Sequence, residues 1–263
     1  MFSIFIYIAV AVILLLVLVW LAGITYLNDF SVHSMKLPHD KRVLVIFPHP
    51  DDETNIAGTL WRLARRHCHV TLAVLTEGEY GTPDAHFEPS LGARRRQEMQ
   101  RVAKILNAKK VIQENFGDGQ LAKQEKTLAL YLQKLLADEQ PDIVISYDLA
   151  GLYGHPDHIA CAEALHAILK RNHPHIDFWY SAWPTRMLDL SRFPEHMATD
   201  PHFKQKRATA NARVFTGFGV VPRIRAVYAH KSQRQSFKDN APGHIPIWFV
   251  QSLQIFEYYE RVQ

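Results

Sequence analysis

The sequence predicts an α/β protein: a Rossmann-like, mostly parallel sheet flanked by helices and preceded by one N-terminal transmembrane helix. Three observations carry this. Short apolar runs alternate with longer amphipathic stretches, the βαβα order of a parallel sheet covered on both faces. Two acidic-histidine clusters, Pro48-His49-Pro50-Asp51-Asp52-Glu53 and Tyr153-Gly154-His155-Pro156-Asp157-His158, each follow a strand-like run, at the sheet edge where open α/β folds bind ligands. The stretch Phe2–Leu27 carries no charged side chain, and about 20 apolar residues suffice to cross a bilayer.

The elements follow in order. The N-terminal run exceeds the roughly 7–15-residue core of a signal peptide and no Lys or Arg precedes it, so residues 1–28 read as an anchor rather than a cleaved leader. Lys36, Lys41 and Arg42 follow it, and the positive-inside tendency then places the bulk of the protein in the cytoplasm behind a single span. Residues 29–40, polar with Pro38 near the end, read as a linker, and residues 41–263 as one domain with a substantial core. Within it, residues 42–47 predict a strand, 54–66 a helix, 70–75 a strand and 77–89 a turn-rich loop. The spacing of Met99, Val102, Ala103 and Leu106 predicts a helix over residues 91–107. A short strand at 110–113, an amphipathic helix at 123–139, a strand at 142–146 and a helix at 158–171 come next. Beyond Asp177 the pattern loosens. Residues 178–180 predict a strand, and residues 181–219, rich in Pro, aromatics and charge, predict extra helices or a flap over the site. Two apolar segments, 224–228 and 248–256, close the chain, the second as a helix.

Charge narrows the function classes. The net charge is +4, and much of the excess lies in local sets such as Arg94-Arg95-Arg96 and Lys204, Lys206 and Arg207. No zinc-finger, helix-turn-helix or RNA-binding signature accompanies them, so no nucleic-acid partner is expected. A solvated or lipid-facing surface, attracted to anionic headgroups, explains them more simply. Cys68 and Cys161 lack the spacing of a disulfide framework or a cysteine zinc site.

The two clusters suit a metal. His49 and Asp52 stand three apart, and on a helical turn both project to the same side. A third ligand must come from elsewhere, and His158 opens a later helix. In the doubly wound order strand one lies beside strand four, so the two loops meet. Two imidazoles and one carboxylate leave a tetrahedral Zn²⁺ a position for water, as in a catalytic site. The same donors accept Fe²⁺ or Co²⁺. Asp51 is then free to take a proton, although on spacing alone Asp51 and Asp52 exchange roles. Each residue also has a blander reading: Asp51 or Asp52 as an N-cap, His155 or His158 as a hydrogen-bonded surface histidine, Glu53 beside the positive end of a helix.

These residues resemble the PIG-L/LmbE-like family of zinc-dependent N-acetylglucosaminyl de-N-acetylases. The hallmark His-Pro-Asp-Asp-Glu and His-Pro-Asp-His loops stand unbroken at 49–53 and 155–158. Weaker similarity continues at Glu77-Gly78-Glu79, at Arg95 and Glu98, at Gly117-Asp118-Gly119 with Leu121, and at His230-Lys231-Ser232-Gln233; residues 183–219 match nothing in the family. The resemblance implies that His49, Asp52 and His158 hold one Zn²⁺ and that Asp51 is the general base. His155 then stabilises the oxyanion or protonates the leaving amine, with Tyr153 assisting, and Arg95 and Asp118 contact substrate. Read without the family, Arg95 is a salt bridge along its helix and Asp118 a turn residue.

The activity implied is hydrolysis of the N-acetyl group of an N-acetylglucosamine-type amino sugar. A membrane anchor raises the effective concentration of a substrate that is itself lipid-linked. The alternative is a soluble N-acetylglucosaminyl conjugate of the thiol-cofactor precursor type. Two other classes compete. A membrane-tethered, non-catalytic sugar- or nucleotide-binding module would carry a Gly-x-Gly-x-x-Gly loop after the first strand, which is missing. A metal-dependent phosphoesterase would favour two metal ions and more bridging carboxylates.

Overall fold

Five runs of mainly β-branched and aromatic residues form the parallel part of one sheet: β1 (Arg42–Phe47), β2 (His69–Val74), β3 (Lys110–Gln113), β4 (Ile143–Tyr147) and β5 (Asp177–Ala182). The computed structural model describes residues 2–81, 87–190, 197–198, 201–239, 241 and 245–262. After their first residue β1 and β2 are buried throughout, as is all of β4, which is why they read as continuous apolar runs rather than as alternating ones. Two further strands, β6 (Ala212–Phe215) and β7 (Phe256–Arg261), complete the order β3-β2-β1-β4-β5-β7-β6. β7 runs antiparallel to both of its neighbours.

Alternate residues of the strands feed two cores. Val43, Val45 and Phe47 pack with Leu60 and Leu63 of α2 (Ala57–Arg65) and with Met99, Val102 and Leu106 of α3 (Pro89–Leu106). Leu44 and Ile46 pack on the other face with Leu128 and Leu132 of α4 (Glu125–Glu139). Leu165 and Leu169 complete that face. They belong to α6 (Pro156–Asn172), which follows the single turn α5 (Gly151–Gly154). The remaining helices are short: α7 (Thr185–Leu190), α8 (Phe203–Lys206), α9 (Val220–Ala229), α10 (Arg234–Asp239) and α11 (Ile247–Leu253).

The doubly wound order expected from the sequence is the observed one over β1 to β5. The last third departs from expectation. Residues 224–228 lie inside α9, and the helix expected over 248–256 stops at Leu253, where the chain enters β7. Glu257, Glu260 and Arg261 interrupt the apolar pattern there and hide the strand. Glu257 is nevertheless buried, because three groups satisfy its carboxylate. The backbone N–H groups of Gly58 and Thr59, unpaired donors in the first turn of α2, bond to it at 2.9 and 2.6 Å, and Arg223 Nη1 lies 3.2 Å away. The first helix also starts late. Residues 52–56 form a 3-10 turn, and α2 begins only at Ala57.

The N-terminal helix α1 (Phe2–Leu27) is long and apolar enough to cross a membrane. Its side chains from residue 4 to residue 22 are exposed, an apolar surface far beyond the few hundred Å² that soluble monomers tolerate. Its last turn is held by the domain: Asn28 Nδ2 donates to the carbonyl of Leu253 at 2.7 Å. The segment 29–40 runs against β6, with Met35 N–H donating to Arg213 O and Arg213 N–H to His33 O, both at 2.8 Å.

The Arg223–Glu257 pair joins α2, α9 and β7 with both partners almost fully buried. Breaking such a pair leaves an uncompensated charge and costs about 3–5 kcal/mol. Arg223→Met is expected to lower the unfolding free energy of the detergent-solubilised protein by that amount in urea titrations. Lys41→Ala, which removes the exposed pair to Asp142, should change it by less than about 1 kcal/mol.

Candidate metal centre

Neighbouring parallel strands place both clusters at one sheet edge. β1 and β4 pair with Val45 opposite Ile145, and the chain leaves each strand into a loop two residues later. In the first loop His49 N–H donates to Asp52 Oδ2 at 2.8 Å, and Asp51 adopts φ 117°, ψ −20°. A non-glycine residue there costs on the order of 1–3 kcal/mol and persists only where its surroundings over-determine it. In the second loop Leu152 has φ 62° and Gly151 φ 60°. A Cβ on Gly151 would lie 2.7 Å from the Cβ of His158, so the backbone passes close beneath the histidine because no side chain intervenes. His155 is the N-cap of α6, its Nδ1 accepting from the N–H of Asp157 at 3.1 Å.

The result is a tight group of donors. His49 Nδ1 lies 3.1 Å from His158 Nε2 and 3.6 Å from Asp52 Oδ2, and His158 Nε2 lies 3.4 Å from Asp52 Oδ1. Ligands bound tetrahedrally at about 2.0–2.2 Å stand roughly 3.3–3.5 Å apart, close to the spacing of these two nitrogens and the Asp52 carboxylate. The outer ring nitrogens fix the tautomers. His158 Nδ1 faces the carbonyl of Gly151 at 3.2 Å, and a carbonyl only accepts, so Nε2 keeps its lone pair for the centre. His49 Nε2 faces Asp118 Oδ1 at 3.0 Å and Asp157 Oδ2 at 3.2 Å, so one proton sits there and Nδ1 is the atom that faces the centre. This is the carboxylate–histidine support typical of bound metals.

Charge points the same way. The carboxylates of Asp51, Asp52, Asp118 and Asp157 converge with Arg95 as the guanidinium among them, a balance that a divalent cation improves. Against burial, which alone would lower it, Asp118 and the other carboxylates hold His49 well above the usual imidazole range. His158 goes the other way, to about 4, because burial outweighs the attraction of Asp52. The facing nitrogens of the two rings are 3.1 Å apart and leave room for one added proton, which stays on His49, the ring nearer the carboxylates. Burial would raise Asp52 and Asp118, yet His158 and His49 hold the first, and His49 the second, well below the carboxylate norm. Burial lifts Asp51 to about 6 against the pull of Arg95, with Asp52 adding to the rise. His155 falls to about 3, through burial and then its neighbours His49 and His158. Burial and then Asp52 push the Tyr153 phenol well above its ordinary value.

Of the residues singled out in the sequence, His49, Asp51, Asp52, Tyr153, His155 and His158 meet at this edge. Arg95 and Asp118 also reach it, but by a different route from the expected substrate contact. Arg95 is buried, donates to the carbonyls of Pro50 and Gly78, and lies 3.1 Å from Asp51 Oδ1. Asp118 turns one oxygen to His49 and accepts from Tyr80 N–H with the other. Both therefore hold neighbouring site groups in place, a function that spacing does not reveal.

Sequence reasoning missed Asp157, Tyr147 and the Glu53–His230 pair. Asp157 is fully buried and accepts from the N–H groups of Gly119 and Leu121 at 2.7 and 3.0 Å, which locks the second loop to residues 117–121. Its place between two motif histidines was the available signal. The Tyr147 hydroxyl donates to Asp52 Oδ1 at 2.9 Å, and its ring stacks on His158 at 4.3 Å. Glu53, in the first turn of the 3-10 helix as its expected place beside a helix N-terminus requires, accepts from the N–H of the N-cap Asp51 at 3.0 Å and also joins His230 Nε2 at 2.7 Å.

Two further donor groups are close enough for a metal: His49, His155 and His158, and His49, Asp118 and Asp157. The second is filled by backbone donors and by the His49 N–H, and so reads as support. In the first, one nitrogen of His155 is already occupied by the Asp157 N–H. Above the centre opens a cleft of about 370 Å³. Asp51, Asp52, Tyr153 and His155 form its floor, and Trp183, Met187, Ile247, Val250 and the last residue of α1, Leu27, form an apolar wall.

Residues 44–169 match the family described as PIG-L: GlcNAc-PI de-N-acetylase. It is 34% identical over 135 residues to a protein of Bacillus anthracis named a probable N-acetyl-alpha-D-glucosaminyl L-malate deacetylase 2, covering 49% of this chain and 59% of that one. It is 36% identical over 121 residues to a diacetylchitobiose deacetylase of Thermococcus kodakarensis, covering 45% of each. The chain thus spans about half the length of the curated relatives it matches. The crystallised N,N'-diacetylchitobiose deacetylase of Pyrococcus horikoshii shares the fold, with TM-score 0.57 and 21% identity over 84% of this chain and 83% of that one.

Replacing a carboxylate that supports a metal-bound histidine weakens the metal by about 10–100-fold. Asp118→Asn and Asp157→Asn should each weaken Zn²⁺ binding by that factor in chelator-competition titrations, and His158→Ala should abolish high-affinity binding. Because His49 must give up its added proton to bind, affinity should fall as pH is lowered.

Proposed function

We propose that residues 44–169, which match the PIG-L family, are the centre of a metal-dependent hydrolase that removes the N-acetyl group from a lipid-linked N-acetylglucosamine-type amino sugar. The observation that carries this reading is the convergence of His49 Nδ1, His158 Nε2 and the Asp52 carboxylate within 3.1–3.6 Å of one another, beneath a cleft that Asp51 and His155 line. A divalent cation held by these three residues, Zn²⁺ in this reading, would polarise the acetyl carbonyl and bring the pKa of a water to about 7.

The chain's own groups do the rest. Asp51 accepts the proton of the attacking water. Its carboxyl, pushed up to about 6, is close enough to neutrality both to take that proton and to return it. Arg95 keeps the carboxylate oriented and favours its charged form. The acetyl carbon gains a C–O bond, its carbonyl oxygen becomes negative, and the amide C–N bond then breaks as Asp51 passes its proton to the departing amine. His155 is neutral near pH 7 and uses Nδ1 as an acceptor, so its proton is on Nε2, available to the developing oxyanion. The depressed value favours Asp51 over an imidazolium as the acid for the amine. Tyr153, whose phenol stays protonated, lines the cleft floor beside His155.

The apolar wall favours a lipid-linked substrate. It runs from the acids to Leu27, where a membrane-spanning α1 would leave the bilayer, with the catalytic domain on the cytoplasmic side. The names of the relatives favour a second reading, a soluble sugar conjugate as substrate.

Asp51→Ala should lose at least about 100-fold in acetate release from N-acetylglucosamine conjugates while retaining its bound metal. Wild-type turnover by this variant would remove Asp51 from the mechanism. Given both substrates, the full-length protein in liposomes should turn over a lipid-linked N-acetylglucosamine with the higher kcat/KM. Preference for the soluble conjugate would decide for the second reading.

A further inference from the structure

α1 is 26 residues long, about 39 Å at 1.5 Å per residue, whereas the hydrocarbon core is about 30 Å thick. Its last turn or two therefore lie at headgroup level. α11 packs alongside those turns. Trp20 Nε1 donates to Ser252 Oγ at 3.1 Å, and a Cβ on Gly23 would sit 2.9 Å from Leu253 Cδ2. Phe256 N–H donates to Asn28 Oδ1 at 3.1 Å. If α1 spans, α11 lies in the interfacial zone beside it.

The outer surface here suits that zone. Trp248 on α11 is 52% exposed, and Ile245 just before it is exposed as well. Arg223 fastens α9 to the carbonyls of Gln251 and Gln254, and at the start of α9 Phe218 is 87% exposed, with Val221 and Phe215 also open. Single exposed apolar residues need no explanation, but five on adjoining elements beside an apolar helix do. Cations accompany them. Arg62 donates to the Phe215 carbonyl, Arg225 is exposed one turn beyond Val221, Arg213 lies over the rings of Phe30 and Phe256, and Arg186 lies over Tyr26. Asp29 is the acid next to Arg186 and Arg213. Apolar and aromatic side chains bordered by arginines form the pattern of an interfacial element on an anionic leaflet.

We propose that α11 and residues 215–221 form a second membrane contact, a docking surface that lies in the headgroup region of the leaflet α1 leaves and holds the domain flat against an anionic bilayer. The proposal rests on α1 being a membrane span. It makes the domain a fixed neighbour of the bilayer rather than a body on a tether, and it keeps the cleft mouth at Leu27, Ile247 and Val250 at the level of the lipid surface.

The test is spin-label depth measurement on the full-length protein in phosphatidylcholine–phosphatidylserine liposomes, with Phe218→Cys, Trp248→Cys, Ile13→Cys and Leu130→Cys labelled one at a time. The native cysteines are both buried, and Leu130 is exposed on α4, on the opposite face of the sheet from α9. The expected result is that labels at 218 and 248 are shielded from a water-soluble relaxing agent and reached by oxygen, intermediate between the deep label at 13 and the open label at 130. A deep label at 13 with water-open labels at 218 and 248 overturns the docking surface and leaves the anchor intact. A water-open label at 13 overturns the anchor, and the docking surface with it. Spin–spin broadening at 218 without oxygen access gives this face to a second copy of the chain and also overturns the proposal.

Discussion

The parallel pairing of β1 with β4 is the constraint on which the site depends. Their registry, Val43 opposite Ile143 through Val45 opposite Ile145, ends both strands at the same level, so loops a hundred residues apart open side by side. Parallel strands need a covered sheet, and the two cores supply it: α2, α3 and α9 on one face, α4 and α6 on the other. A one-residue slip would turn every β1 side chain to the wrong core, so the burial that stabilises the fold also sets the ligand positions. The local chain then does the fine placement through backbone conformations that are costly elsewhere, at Asp51 and Leu152.

Around the three donors lies a set of groups whose common effect is to leave two lone pairs and a carboxylate facing inward. Asp118 and Asp157 take the outer proton of His49, Gly151 takes that of His158, and Tyr147 holds one oxygen of Asp52. A second ring surrounds Asp51: Arg95 pairs with its carboxylate, while Glu53, backed by His230, accepts its N–H. The His230 motif thus reaches the site through Glu53, from the C-terminal end of α9.

Much of this was legible before any coordinates. The strands β1, β2, β4 and β5 announce themselves because both faces are buried, and the two loops because imidazoles and carboxylates seldom gather after apolar runs. β6 and β7 were not legible, since Glu257 looks like a surface residue until Arg223 and the α2 amides are found around it. Arg95 and Asp118 were expected to contact substrate, but the contacts they make depend on where α3 and the 117–121 turn lie in space, and spacing carries no such information. Tyr147 lies just past the strand expected over 142–146 and carried no signal, although its hydroxyl is what reaches the site.

The central claim is that two imidazoles, not three, and one carboxylate grip a single ion. X-ray absorption at the metal edge of the Zn²⁺-loaded full-length protein tests it directly. The account predicts one ion per chain with two imidazole nitrogens and oxygen donors at about 2.0–2.2 Å. A shell of three imidazoles, which would recruit His155, or one with fewer than two would contradict it.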